Sequence, residues 1–129
     1  MAKVASDRTE AYRVTGNYHW LSGRTRVALG WWKASLDQGD KLGARLELSR
    51  TYFEIGRRVT STLMSRSLSA TKRQMLRAMT NRHLGLTEED CLCRAEILFR
   101  EMNLQKDLEE LQELKRVSVE PRADIPIKV

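Results

Sequence analysis

Apolar residues recur along this chain at intervals of three and four, the spacing that keeps side chains on one side of an α-helix. Leu48, Tyr52, Ile55, Val59 and Leu63 form the longest such stripe and predict a helix that starts at about residue 44. Cys91, Ala95, Leu98 and Met102 form another, with Leu92 and Phe99 beside it. Leu104, Leu108, Leu111 and Leu114 carry an apolar face into a terminal helix. End signals divide the pattern further. Gly43 supplies a stop for a helix over 25–42, which follows a first helix over 7–21. Thr87 is placed as an N-cap, with Glu88, Glu89 and Asp90 in the first turn, where the helix dipole favours acids, and Asp90 in a capping-box position. Residues 61–71 are rich in serine and threonine, whose hydroxyls compete for backbone partners, so a loop is expected there. A short helix over 72–80 presents Met75, Leu76 and Met79, and His83-Leu84-Gly85-Leu86 ends it in a turn.

The first two helices carry a tighter pattern. Tyr12-x2-Thr15-Gly16-x2-His19, followed by Ala28-x3-Trp32, has the intervals of a tetratricopeptide helix–turn–helix repeat. Gly16 and Ala28 are small enough to let the two helices approach closely. The rings of Tyr12, His19 and Trp32 fill the wedge between them, and Gly23 sits at the turn. Trp31 faces about 100° away from Trp32, which leaves Trp31 and Trp20 near the edge of the packed surface, stacked against a neighbouring repeat or free as a ligand platform. The third helix reads as the first helix of the next repeat.

At 129 residues the chain amounts to one domain. Two prolines and seven glycines in a Leu-, Arg- and Glu-rich chain favour helix over sheet. The expected fold is an all-α, tetratricopeptide-like solenoid of five or six helices over 7–116. It would lie between a flexible N-terminus at 1–6 and an extended tail at 117–129 that holds Pro121 and Pro126. No leader-like or membrane-spanning apolar run is present, so a cytoplasmic protein is expected. Cys91 and Cys93 stand two apart on a helix, point in different directions, and are expected to be reduced structural thiols.

Charge is unevenly spread. The net +6 is concentrated between 55 and 87, where Arg57, Arg58, Arg66, Lys72, Arg73, Arg77 and Arg82 stand without an acid, whereas acids dominate 88–114. Such a block could grip nucleic-acid phosphates or an anionic surface, or pair with the acidic final helices of the same molecule. Aromatic residues that might stack bases are missing from it, which weighs against nucleic acid. His19 reads as a core ring and His83 as a turn residue. Neither has a ligand partner at i+3 or i+4, no G-x4-G-K-[ST] loop occurs, and no residue set points to catalysis, a metal or a cofactor.

Longer stretches resemble a known family. His19-Trp20-Leu21-x-Gly23, then Ala28-Leu29-x-Trp31-Trp32, then Leu42-Gly43-Ala44-Arg45-x-Glu47-Leu48-x-Arg50-Thr51-Tyr52-x-Glu54-Ile55-Gly56-Arg57 is similar to the C-terminal repeat region of large bacterial signalling ATPases. Those proteins join a class III cyclase or a serine/threonine kinase to an AAA-type ATPase and a tetratricopeptide array. Leu86-x3-Asp90-x-Leu92-x2-Ala95-x2-Leu98-Phe99-x-Glu101-Met102-x-Leu104-x2-Asp107-Leu108-x2-Leu111 resembles the segment that closes such arrays. The resemblance covers roughly residues 8–114, apart from 59–82. It implies a regulatory module, natural or excised, whose catalytic domains would lie upstream.

The expected function is therefore non-catalytic protein interaction, with a protein, a peptide or the upstream domains as partner. Asn17, Trp20 and Arg24 from the first repeat and Arg50, Glu54 and Arg57 from the second are the candidate contacts in a groove between first helices. The alternative is a nucleic-acid-binding helical protein that uses the basic segment 57–82, through Arg66, Lys72, Arg73, Arg77 and Arg82. The acidic last helix suits a C-terminal cap. The N-terminal face has no comparable polar cover and is expected to associate with a partner helix or a second copy.

Overall fold

A computed structural model of the chain describes the backbone of residues 2–127 and the side chains of residues 8–118. It contains six helices: α1 (Ala2–Leu21), α2 (Thr25–Leu42), α3 (Arg45–Leu63), α4 (Ala70–Leu84), α5 (Glu88–Glu101) and α6 (Gln105–Ile127). There is no strand among the described residues, and no described helix is long and apolar enough to cross a membrane.

Local chemistry sets most helix ends. Gly23, Gly43 and Gly85 hold φ of 82°, 67° and 69° at three turns, a left-handed conformation that side chains with a Cβ rarely adopt. Thr87 accepts a hydrogen bond from the Asp90 amide at 3.0 Å, and Asp90 Oδ2 accepts one from the Thr87 amide at 3.0 Å, so the expected capping box is present. The bond donated by the Thr87 amide, seconded by the Thr87 hydroxyl, also holds the Asp90 carboxyl below its ordinary pKa.

The 61–71 loop is shorter than expected. Helix α3 continues to Leu63, which is buried, and Thr62 donates its hydroxyl to the Arg58 carbonyl at 3.0 Å instead of disrupting the helix. Ser69 accepts from the Lys72 amide at 3.2 Å and caps α4, which spans Ala70–Leu84 and so exceeds the expected 72–80. At the chain ends, the backbone of α1 begins at Ala2. The backbone of α6 runs to Ile127, where an extended tail was expected from 117 onward. The side chains of 1–6, expected as a flexible N-terminus, lie outside the described residues.

Helices α1 and α2 form an antiparallel pair with Gly16 at the contact. A Cβ added to Gly16 would fall 2.4 Å from Trp32 Cδ1, so the indole lies directly on the glycine backbone. Helix α3 pairs with α5, and the helix that follows it in the chain is not its main partner. The contacts Arg45 to Glu101, Tyr52 to Arg94 and Gly56 to Leu92 run in opposite chain directions and make this pair antiparallel too. A Cβ on Gly56 would fall 2.5 Å from Leu92 Cγ. Helix α4 lies against α2 and more lightly against α3, burying only Leu76, Thr80 and Leu84. Helix α6 closes the far end against α5 and α3.

One apolar core runs through these contacts. Its largest fully buried side chains are Trp32, Phe99, Leu29, Ile55, Leu111 and Val59. The predicted α3 stripe of Leu48, Tyr52, Ile55, Val59 and Leu63 is buried throughout.

Candidate functional site

The last turn of α1, the last two turns of α3 and the residues just after α3 border an open cleft of about 390 Å³, lined by Trp20, Arg57, Arg58, Ser61, Thr62 and Ser65. Trp20 is fixed by stacking on Trp32, with ring centroids 5.3 Å apart. The two arginines are held from below by Glu54, a nearly buried carboxylate on the same helix. Arg57 Nη2 donates to Glu54 Oε1 and Oε2 at 2.8 and 2.9 Å, and Arg58 Nε donates to Oε2 at 2.6 Å. Burial alone would raise the Glu54 pKa, but the two guanidinium groups outweigh it and hold the carboxyl below its ordinary value. The wall that reads as strongly cationic in sequence therefore carries one net positive charge. Arg73 donates to the carbonyls of Leu63 and Ser65 at 2.8 and 2.7 Å, so it caps the C-terminal end of α3 and is not free for a ligand.

The expected groove contacts come together only in part. Trp20 and Arg57 share the cleft with Glu54 beneath them. Asn17 accepts from Trp32 Nε1 at 3.1 Å and helps lock the indole, a structural task. Arg50 is half-exposed beside Glu47 at 3.6 Å, and Glu47 also takes Arg13 at 3.3 Å. Arg24 is exposed at the α1–α2 turn with no ion pair among the described residues.

The basic segment is likewise divided. Arg66, Lys72 and Arg82 are exposed and unpaired among the described residues, while Arg77 approaches Glu88 at 3.9 Å. That is the one described ion pair between the segment 57–82 and the acidic C-terminal helices. The latter mostly pair internally, with Glu96 taking Arg100 and Lys115. Hydrogen bonds from Lys115 and Arg100 hold the Glu96 pKa down.

Cys91 is buried and Cys93 exposed, both as free thiols. Burial, helped by the Asp90 charge, pushes the Cys91 pKa up to about 12, which makes it an inert packing residue at neutral pH. His19 is half-buried, against Tyr18 at 5.3 Å, and so is less a core ring than expected. No group of three His, Cys, Asp or Glu among the described residues could hold a metal ion.

A second feature was visible in sequence only as an uncovered N-terminal face, with no residues assigned to it. Val14, Tyr18 and Leu21 on α1 and Val27 and Trp31 on α2 are exposed, Tyr18 at 61% and Leu21 at 71%. Their spacing of four and three along α1 and of four along α2 marks helical rows. The signal was missed because apolar rows in a sequence do not say which of them the fold will cover. Trp31 leans across to Tyr12, with ring centroids 5.6 Å apart, so rings close the seam between the two helices on that side, while Val14 and Leu21 lie roughly opposite Tyr12 around α1. At the other end of the molecule the exposed positions of α6 are mostly charged, Lys106, Glu109, Glu110, Glu113 and Arg116, with Val117 the one large apolar residue exposed among its described side chains.

No protein-family model, curated protein or solved structure matches the chain.

Proposed function

We propose that this protein is a non-catalytic interaction module that docks a helix of another protein, or of a preceding domain, on the α1–α2 face. The observation that carries the reading is the asymmetry of the two ends: exposed Tyr18, Val27 and Trp31 at one, and a mostly charged helix surface at the other. Helical stacks bury their apolar faces on neighbours, and a polar end face marks where stacking stops. The glycine contacts in α1–α2 and α3–α5 support a tetratricopeptide-like organisation of two helical pairs, with α4 inserted in the second. The resemblance to the repeat regions of bacterial signalling ATPases agrees with a regulatory role next to catalytic domains.

The nucleic-acid reading draws less support. Arg73 is committed to backbone carbonyls, Arg57 and Arg58 to Glu54, and Arg77 approaches Glu88, which leaves only Arg66, Lys72 and Arg82 for phosphates.

The test is a panel of synthetic amphipathic helical peptides of varied flanking charge, titrated against the chain and against Tyr18→Glu/Trp31→Glu. The reading expects at least one peptide to bind the wild type and to lose affinity on the double variant. A panel that binds nothing, or that binds both proteins equally, removes the face from the account.

A further inference from the structure

We infer that the occupant of the α1–α2 face is an amphipathic helix whose apolar stripe is flanked by acidic residues; this rests on the docking reading above and names the chemistry of its partner. The side of the pair that is free is fixed by contacts. Arg13 reaches Glu47 on α3, so α3 covers one flank of α1. The positions turned away from Arg13 are the row 8, 11, 15, 18 and 22, and the matching row on α2 is 27, 31, 34 and 38. Tyr12, which borders the α1 row beside positions 8 and 15, touches Trp31 of the α2 row, so the two rows flank one shallow groove between the helices.

The floor of that groove is less polar than its sequence suggests. Thr15 donates its hydroxyl to the Ala11 carbonyl at 2.7 Å and Ser22 donates to the Tyr18 carbonyl at 2.9 Å, so neither hydroxyl requires a partner from outside. The small residues Ala11 and Ala34 share these rows with the large rings of Tyr18 and Trp31, so small and large side chains alternate along them.

Charge then selects among occupants. Arg8 and Lys41 stand at one end of the groove and Arg24 at the other, all exposed and without an ion pair among the described residues. The acids described on these two helices face elsewhere: Glu10 is beside Arg13 at 3.6 Å, Asp37 pairs with Lys33 at 2.9 Å, and Asp40 belongs to the opposite row with Leu29 and Leu36. A second copy brought face to face would set these cations against their own counterparts. An acidic-flanked helix would meet them with opposite charge.

Two synthetic helical peptides with the same leucine stripe, one flanked by glutamates and the other by lysines, separate the outcomes when titrated against the full chain by two-dimensional NMR. The glutamate peptide is expected to bind about tenfold tighter at low salt, to lose most of that advantage at high salt, and to lose the preference on Arg8→Glu with Lys41→Glu. Tyr18→Glu with Trp31→Glu is expected to abolish binding of both peptides with the helical circular dichroism unchanged. Equal affinity, or a preference for the lysine peptide, overturns the acidic partner and leaves docking on the face intact. A salt-stable dimer that the Tyr18→Glu/Trp31→Glu variant splits assigns the face to a second copy and also overturns it. A monomer that binds neither peptide sinks the docking reading together with this one.

Discussion

Changing Glu54 to glutamine would leave Arg57 and Arg58 side by side with one neutral acceptor between them, at a position almost closed to water. Hydrogen bonds to a charged group contribute more than neutral ones, so Glu54→Gln should destabilise the fold by about 2 kcal/mol at neutral pH. The pH dependence has a definite sign. The folded state holds this carboxyl below its ordinary pKa, so the stabilisation is full above the unfolded value and fades as pH falls through the folded one. Thermal melts of wild type and Glu54→Gln should therefore differ most at neutral pH and converge in acid. A gap that stays constant into acid would mean that packing, not charge, holds the cluster. None of this was legible in the sequence, where Glu54 and Arg57 looked like groove contacts and both arginines like part of a basic block whose partners would be a ligand or the acidic final helices. Side chains three and four apart on a helix can always meet, but only burial turns that meeting into a neutralised cluster.

At the scale of elements, the two glycine contacts carry the packing of both helical pairs. Alanine at either site gains helix propensity, about 1 kcal/mol, and adds a methyl where there is no room. At Gly16 the methyl would strike an indole that is fully buried and pinned by bonds to Asn17 Oδ1 and the Arg13 carbonyl, so Gly16→Ala should lose a net ~2 kcal/mol. At Gly56 it would meet Leu92, which can turn aside, and the Glu88 carbonyl at 3.2 Å, which cannot do so freely; a smaller net loss of ~1 kcal/mol is expected. Gly30 has nothing within 4 Å, and Gly30→Ala should stabilise by roughly 0.5–1 kcal/mol. Urea titrations of the three variants that failed to rank in this order would contradict the described packing. Gly16 was legible in sequence because its neighbours Tyr12, Ala28 and Trp32 fix its role locally. The same logic found the α2 and α5 ends through Gly43 and Thr87. The partner of Gly56 was not legible, because it lies beyond α4 in the chain and local spacing carries no information about which later helix returns.

For the molecule as a whole, that return has a consequence in time. The α1–α2 pair closes through a three-residue turn, at 22–24, whereas the α3–α5 pair cannot form until the chain has spanned 64–87, with α4 inside the loop. Local contacts form fast and distant ones wait on loop closure, so assembly should be ordered, with the first pair seeding the structure and the second joining late. Pulsed hydrogen exchange during refolding should protect amides of α2 before those of α5; simultaneous protection would speak against this order. The order also bears on life outside the test tube. During synthesis, the segment with the uncovered aromatic groove emerges before the α3–α5 half, and on this order of assembly it could engage a helix already present while that second half is still being made.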